Sequence, residues 1–408
     1  MSEDRTRNLV PISFAADINP PTNIKRFTPD TEVSFISMSQ VSEEGHITRK
    51  SQRRLSEVRN GFSSFLEGDI LFAKITPCME NGKGALALNL NHGVGFGSTE
   101  FHIIRSHEGT SNKYIYHWLQ SQRLRKKAEA FMIGSAGQQR VQSNFFDNFL
   151  IPLPPIEEQE RIAEVLDTID EVIQKTEAVI AKLQQVKQGL LHDLLTRGFN
   201  EKGQLRDPQR HPEHFKPSPL GLLPSSWTVG IVENFMDIDN TKRKPISALL
   251  RHRMKGSFPY YGPTGILDFI NQFQFNGLFV TIGEDGDHFL KFSYQNMTQL
   301  IEGKFNVNNH AHVLHGIANC KSEWFHLFFK HRDITFYLTR QGAGRYKLNK
   351  KTLLALPFAV PTRAEQEEII LRINNKELLI NAEKAKLAKL QQVKKGLMDD
   401  LLSGRVRT

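Results

Sequence analysis

Cysteine is nearly absent: only Cys78 and Cys320 occur among 408 residues. Two thiols cannot build a disulfide framework or a cysteine-rich zinc site, and they suit a reducing compartment. Long apolar runs are missing too; the nearest, Gly84-Ala-Leu-Ala-Leu-Asn-Leu90, falls well short of the roughly 18 residues a membrane span needs. The charged opening Met1-Ser-Glu-Asp-Arg-Thr-Arg-Asn8 has no apolar stretch behind it, which argues against a secretory signal. A cytoplasmic chain without a membrane partner is expected. Acidic residues are the minority charge, 44 Asp and Glu against 53 Lys and Arg, leaving +9 and a pI near 9.4. That balance favours a polyanion as partner. Tyr (7) and Trp (3) are scarce beside 28 Phe, which points to filled cores. A content of 39% hydrophobic and 24% charged residues excludes a wholly disordered chain. At roughly 150 residues per domain, the length allows two or three domains.

The chain contains itself twice. Ala181-Lys-Leu-Gln-Gln-Val-Lys187 recurs as Ala388-Lys-Leu-Gln-Gln-Val-Lys394, and Gly189-Leu190 with Asp193-Leu194-Leu195 recurs as Gly396-Leu397 with Asp400-Leu401-Leu402. The same offset of 207 pairs Glu158-Gln159-Glu160 with Glu365-Gln366-Glu367, Ile162 with Ile369, Pro154 with Pro361, and Ala136-Gly137 with Ala343-Gly344. Such a register marks a tandem duplication. Each unit is a globular region followed by a helix; the helices are shared and the globular parts have diverged.

Each helix is legible from its pattern. After Ile151-Pro-Leu-Pro-Pro155, apolar residues fall at Ile162, Leu166, Ile169, Ile173, Ile180, Leu183, Val186, Leu190 and Leu194; the second copy gives Ile369, Ile373, Ile380, Leu387, Leu390, Val393, Leu397 and Leu401. Alternating steps of three and four predict a coiled-coil seam. A helix of about 40 residues is about 60 Å long and outruns one compact domain. Two such helices supply each other's partner, antiparallel because the intervening region carries the chain back. The alternative is two helices buried separately in ordinary cores. Between the units, Thr196 to Trp227 contains Pro208, Pro212, Pro217, Pro219 and Pro224, the composition of a linker with extended segments.

In the first globular region, Glu32–Ser37, Asp69–Ile75, Gly84–Leu88 and Glu100–Ile104 read as strands and Asn112–Phe131 as helix. In the second, Gly277–Ile282 and His312–Leu314 read as strands and Glu323–Thr339 as helix. The fold class is therefore α+β, with curved, mainly antiparallel sheets.

Fragments that imitate catalytic motifs have simpler readings. Asn19-Pro-Pro-Thr22 resembles the Asn-Pro-Pro-aromatic motif of amino-methyltransferases, but Thr22 replaces the aromatic that stacks on a flipped base, and no Gly-rich cofactor loop follows a strand. Glu80-Asn-Gly-Lys-Gly84 lacks the residues of a P-loop and reads as a turn. Glu67, Asp69 and Lys74 resemble nuclease residues, and Glu284, Asp285 and Asp287 a metal loop; flanking glycines make turn chemistry the better account. His310 and His312 share a strand face but have no third ligand for zinc. No catalytic residue, metal site or cofactor is expected in this chain.

What remains is a binding surface. Basic clusters lie at Arg49-Lys50 with Arg53-Arg54, Arg123-Leu-Arg-Lys-Lys127, Lys242-Arg243-Lys244 and Arg251-His-Arg-Met-Lys255; such residues suit phosphate contact. Reading bases requires amide and guanidinium forks on loops. Gly137-Gln138-Gln139-Arg140 and its repeat partner Gly344-Arg345-Tyr346-Lys347 are candidates, with Lys74, Asn81, Lys83, Tyr260, Tyr261, Thr264, Asn308, Asn309 and His310. Each is also explicable as a structural turn.

These residues are similar to the DNA-specificity subunit of type I restriction-modification systems, over essentially the whole chain. The likeness rests on Gly68-Asp-Ile-Leu-Phe-Ala-Lys-Ile-Thr-Pro-Cys-Met-Glu-Asn-Gly-Lys83, Gly95-Phe-Gly-Ser-Thr-Glu-Phe101 and Ile151-Pro-Leu-Pro-Pro-Ile-Glu-Glu-Gln159 in the first half. In the second it rests on Tyr260-Tyr-Gly-Pro-Thr-Gly-Ile266, Gly283-Glu-Asp-Gly286, Asn308-Asn-His-Ala-His-Val313 and the repeated helices. Phe358-Ala-Val-Pro-Thr362 departs from the Pro-Leu-Pro-Pro form.

The resemblance implies target-recognition domains at 1–150 and 227–356, helical spacers at 151–197 and 357–408, and a linker at 198–226. Each domain would read one half of a bipartite, asymmetric duplex DNA target. The helices, an internal pseudo-twofold pair, would act as a ruler and dock two modification subunits that use S-adenosylmethionine to methylate adenine. Docking falls to the seam positions Ile162, Leu166, Ile169, Ile173, Leu183, Val186, Leu190, Ile369, Ile373, Ile380, Leu390, Val393 and Leu397. Restriction subunits, using ATP and Mg2+, would join that core; the chain itself would be non-catalytic.

Overall fold

The computed structural model describes residues 9–135, 137–341 and 345–408. They divide into two compact units, one reaching to Ala178 and completed by Lys384–Thr408, the other spanning Val179–Glu383. Each unit holds a globular region and a segment from each of two 41-residue helices, Ile156–Thr196 and Arg363–Ser403. The units thus cross the two halves of the sequence.

In the first unit, Ala16–Ile18, Phe101–Ser106, Ile70–Ala73 and Gly84–Leu86 form an antiparallel sheet in that order. A second sheet orders Ser51–Arg54, Glu32–Ile36, Val94–Gly97 and Ser63–Leu66, with Glu32–Ile36 and Val94–Gly97 parallel. The expected helix over 112–131 is two helices, Asn112–Gln120 and Gln122–Ala130, broken at Ser121. Ser121 has extended backbone and its hydroxyl accepts from Leu124 N, so it caps a new helix. Trp118, Tyr114, Phe145 and Phe146 share a core with Ile162 and Leu166 of the first long helix and Met398, Leu401 and Leu402 of the second.

In the second unit a six-stranded sheet orders Met236–Ile238, Ala311–Gly316, Phe275–Gly283, Thr298–Val307, Lys255–Tyr261 and Ile266–Ile270. Lys255–Tyr261 runs parallel to Thr298–Val307, so the sheet is mixed. The helix expected over 323–339 stops early, at Ser322–Phe329. Asp333 Oδ1 accepts from Thr335 N and Oγ1, a local turn that competes with further helix. Trp227, Trp324, Phe325, Phe328 and Phe358 share a core with Leu191, Leu194, Ile369, Ile370 and Ile373.

The connecting segment between the repeats packs as part of this unit. Phe215–Ser218 pairs with Gly221–Pro224, Phe199 and Leu223 are buried, and Arg206 forms a half-buried ion pair with Glu365 at 2.6 Å.

Both helix lead-ins are built alike despite the departure at Phe358. Leu150–Pro152 pairs with Leu9–Pro11, and Pro357–Val360 with Thr228–Ile231. Gln159 Oε1 accepts from Ser111 N while its Nε2 donates to Pro154 O; Gln366 repeats this with Lys321 N and Pro361 O. These buried amides clamp each helix start onto its globular region.

The seam is buried at Ile162, Leu166, Ile173, Ile180, Leu194, Ile369, Ile373, Ile380 and Leu401, and half-buried at Ile169, Leu183, Leu190, Leu390 and Leu397. Val186 and Val393 lie outside it, 41% and 44% exposed. Val186 lies one heptad after Val179 and continues the exposed row Val165, Val172 and Val179, so it belongs to the open side of the helix. Polar pairs fill part of the buried line: Asp170 with Lys394 at 2.5 Å in the first unit, Glu377 with Lys187 at 2.7 Å in the second.

Candidate nucleic-acid interface

In the first unit, Met132–Ile133 pairs with Arg140–Val141 and presents the loop between them. Two neighbouring strand ends fix that loop. Gln139 O accepts from Thr76 N and Oγ1, both at 3.0 Å, Gln139 N donates back to Thr76 Oγ1 at 2.9 Å, and Val141 N donates to Lys74 O at 2.9 Å. Lys74 N in turn donates to Glu100 O at 2.9 Å. Arg140 lies in a forked pair with Glu100, Nη2 to Oε1 at 2.8 Å and Nε to Oε2 at 2.9 Å. The pair holds the Glu100 carboxyl below its usual range and the Arg140 guanidinium above its own, each chiefly through their mutual hydrogen bond.

The second unit repeats this frame with other side chains. Thr339–Gln341 pairs with Arg345–Lys347; Gly286 N donates to Tyr346 O at 3.1 Å, Leu348 N to Glu284 O at 2.8 Å, and Glu284 N to His310 O at 2.8 Å. By backbone partner, Glu284 stands where the first unit has Lys74, His310 where it has Glu100, and Gly286 where it has Thr76. His310 Nδ1 meets Asp285 Oδ2 at 3.0 Å. Thr264, Asp285, His310 and Arg345 line one open concavity of about 500 Å³.

The other candidates divide by burial. Gln138, Thr264, Asn309 and Arg345 are exposed, with Lys242 paired to Asp239 and Lys244 also at the surface. Gln139, Tyr346 and Lys347 are half-exposed beside them, and Arg340 lies over the Tyr346 ring. Gly344 lies outside the described residues. Asn81 is exposed and donates to Glu43 Oε1, whereas Lys83 Nζ donates to Met38 O. They belong to a tight turn at Gly82, where φ is +91° and a Cβ would come within 2.5 Å of Glu43 O, which leaves no room for a side chain.

Two candidates are corrected outright. Tyr260 is 1% exposed, and its hydroxyl donates to Lys244 O and accepts from Ile246 N, so it braces the loop behind the surface. Arg243 is spent on Ala311 O, Asn309 O and Glu284. Arg125, in the 123–127 cluster, is likewise buried on the carbonyls of Leu119 and Met79. Tyr261 is half-buried against Phe305.

Asn19, within the methyltransferase-like fragment, is committed inside its unit to His102 and to Ile103 N. His312 is buried with both ring nitrogens engaged, by Asn240 and by Leu348 O, while His310 lies at the surface. Among the described residues, the group with metal-ligand proximity is His211, Glu213 and His214, all exposed, with His211 Nδ1 hydrogen-bonded to Glu213 Oε1 at 3.2 Å and His214 Nε2 3.6 Å from the same oxygen. Glu100, Thr76 and Glu284 were missed as parts of the candidate interface because Glu100 read as the start of a strand, Thr76 followed the end of one, and turn chemistry beside Gly283 accounted for Glu284; the signal was present in Gly68–Lys83, Gly95–Phe101 and Gly283–Gly286.

Known proteins share this architecture. A solved chain of a type I R-M system, from work on its complex assembly and conformational transition, superposes with TM-score 0.59 at 18% identity, covering 98% of both chains. The type I restriction-modification S subunit from M. genitalium gives 0.59 at 16% identity and the same coverage. In sequence, the EcoAI specificity subunit of Escherichia coli is 35% identical over 206 residues, 49% of this chain and 34% of that one. A putative MjaX specificity subunit of Methanocaldococcus jannaschii is 23% identical over 403 residues, 93% of this chain and 87% of the other. The chain spans about a third of the length of the first of these relatives. The family described as type I restriction modification DNA specificity domain matches twice, at residues 16–185 and 224–392, and the chain belongs to that family. Among the described residues, no helix is long and apolar enough to cross a membrane.

Proposed function

We propose that this chain is the specificity subunit of a type I restriction-modification complex, reading a bipartite, asymmetric duplex target without catalysing a reaction. The observation that carries this is one hydrogen-bonded frame built twice with different side chains at its surface. Lys74, Glu100 and Arg140 in one copy correspond to Glu284, His310 and Lys347 in the other. Different donors and acceptors on equal scaffolds favour different bases. The excess of basic residues contributes affinity through phosphates without sequence content.

The helices supply the rest. Asp170 meets Lys394 and Lys187 meets Glu377; the step from Asp170 to Lys187 equals the step from Lys394 back to Glu377, which supports one antiparallel coiled-coil register. Their open faces, including Val186 and Val393, would dock two modification subunits carrying S-adenosylmethionine, with ATP- and Mg2+-using restriction subunits joining them. The globular domains follow the sequence boundaries 1–150 and 227–356.

The test is binding by the assembled complex to DNA scrambled in one half-site or the other. Replacing Gln138, Gln139 and Arg140 by alanine should relax discrimination at one half-site roughly ten- to hundredfold and leave the other unchanged. Equal loss at both, or none, would sink the assignment.

A further inference from the structure

Each unit contains a buried histidine whose two ring nitrogens are both spoken for. His102, 5% exposed, donates from Nε2 to Val141 O at 2.8 Å and accepts at Nδ1 from Asn19 Nδ2 at 3.0 Å. His312, 1% exposed, donates from Nε2 to Leu348 O at 2.7 Å and accepts at Nδ1 from Asn240 Nδ2 at 2.8 Å. The asparagines are fixed as well: Asn19 Oδ1 accepts from Ile103 N at 3.0 Å and Asn240 Oδ1 from Val313 N at 3.1 Å.

These contacts determine one another. A backbone N–H occupies each amide oxygen, so the amide nitrogen must face the ring. Nδ1 must then be the acceptor, and Nε2 carries the proton it gives to the carbonyl. Burial lowers the pKa of both histidines, which keeps the neutral ring this chain of bonds requires.

The carbonyls are informative. Val141 directly follows Arg140, and Leu348 directly follows Lys347. The two carbonyls share the 207-residue offset of the duplication, whereas the Asn and His residues that grip them do not; Asn and His lie 83 residues apart in one unit and 72 in the other. The surrounding sequences have diverged, yet the same three-part linkage holds the same backbone oxygen. Filling a core needs only an apolar side chain of the right size. A polar linkage present in both copies fixes the height and direction at which the reading strand leaves the sheet.

We infer that Asn19 with His102, and Asn240 with His312, are matched positioning residues for sequence reading. Each pair draws the end of one reading strand onto its sheet and so sets where Arg140 or Lys347 meets a base edge. This rests on the proposed function and assigns the two pairs to different half-sites.

The experiment uses the full chain assembled with its modification subunits, on the target first read from methylome sequencing. His102→Leu should lower discrimination at one half-site roughly ten- to hundredfold and leave the other at its wild-type value; His312→Leu should do the reverse. His102→Gln, which keeps a donor for Val141 O, should retain most of the discrimination that His102→Leu loses. Hydrogen exchange of the Gln138–Val141 amides should speed up in His102→Leu while that of Arg345–Leu348 is unchanged. Should His102→Leu not fold, Asn19→Ala carries the same expectation. A folded variant with wild-type discrimination at both half-sites, or with equal loss at both, overturns the inference. A wild-type complex that distinguishes neither half-site overturns the proposed function itself, before any variant is made.

Discussion

At the scale of residues, burial decides charge before any ligand arrives. His326 is pushed down to about 3, mainly by burial and then by Lys330, against 6.5 for the same group in the unfolded chain. The unfolded chain therefore binds a proton that the folded one refuses. Stability from this residue is complete above the unfolded value and is lost progressively as pH falls below it toward the folded one. His102 and His312, also lowered by burial, act in the same direction. The thermal midpoint, followed by fluorescence of the buried Trp118, Trp227 and Trp324, should fall as pH drops from about 7 to about 5. His326→Gln should flatten that slope; an unchanged slope would count against the assignment. The linkages around His102 and His312 were not legible in the sequence, because their partners lie far apart and outside the repeat register. The loop residues Gln138 and Arg345 were legible because glycine and paired polar side chains announce an exposed turn. Tyr260 and Arg243 were misread because an aromatic or a cation in a loop can brace it from within as readily as project from it.

At the scale of elements, both long helices and their lead-ins were legible, since periodicity and proline placement are local signals. The buried line was only partly so. An apolar count sees Val186 but cannot see that Asp170, Lys187, Glu377 and Lys394 occupy the buried face as ion pairs. Strands such as Ser51–Arg54 and Lys255–Tyr261 were not read, because charge or glycine hides their alternation. Leu194, fully buried, and Val186, 41% exposed, separate the two kinds of helix position. Leu194→Ala should destabilise the chain by about 2–5 kcal/mol. Val186→Ala should change stability by less than about 0.5 kcal/mol while weakening capture of the modification subunit in a pull-down. If Val186→Ala lowers stability as much as Leu194→Ala, the seam has been misplaced.

At the scale of the whole molecule, duplication was the strongest sequence signal, because seven identities in constant register need no structure to interpret. The division into units was not, since a helix pattern does not say which core its far end will join. If the helices act as a ruler, adding one heptad to each at register-matched positions should lengthen the preferred gap between half-sites without altering their base preferences. An unchanged gap, read from the methylome of cells carrying the extended chain, would remove the ruler role.

Met398, Leu401 and Leu402 close the core around Trp118 and Tyr114, and a ribosome releases them only after the entire second unit has been made. The unit begun first is thus finished last. Until then its apolar floor stays open to chaperones and to neighbouring chains. A nonsense codon at Lys384 would therefore cripple the reader encoded at the opposite end of the message, leaving the second unit with all of its own segments.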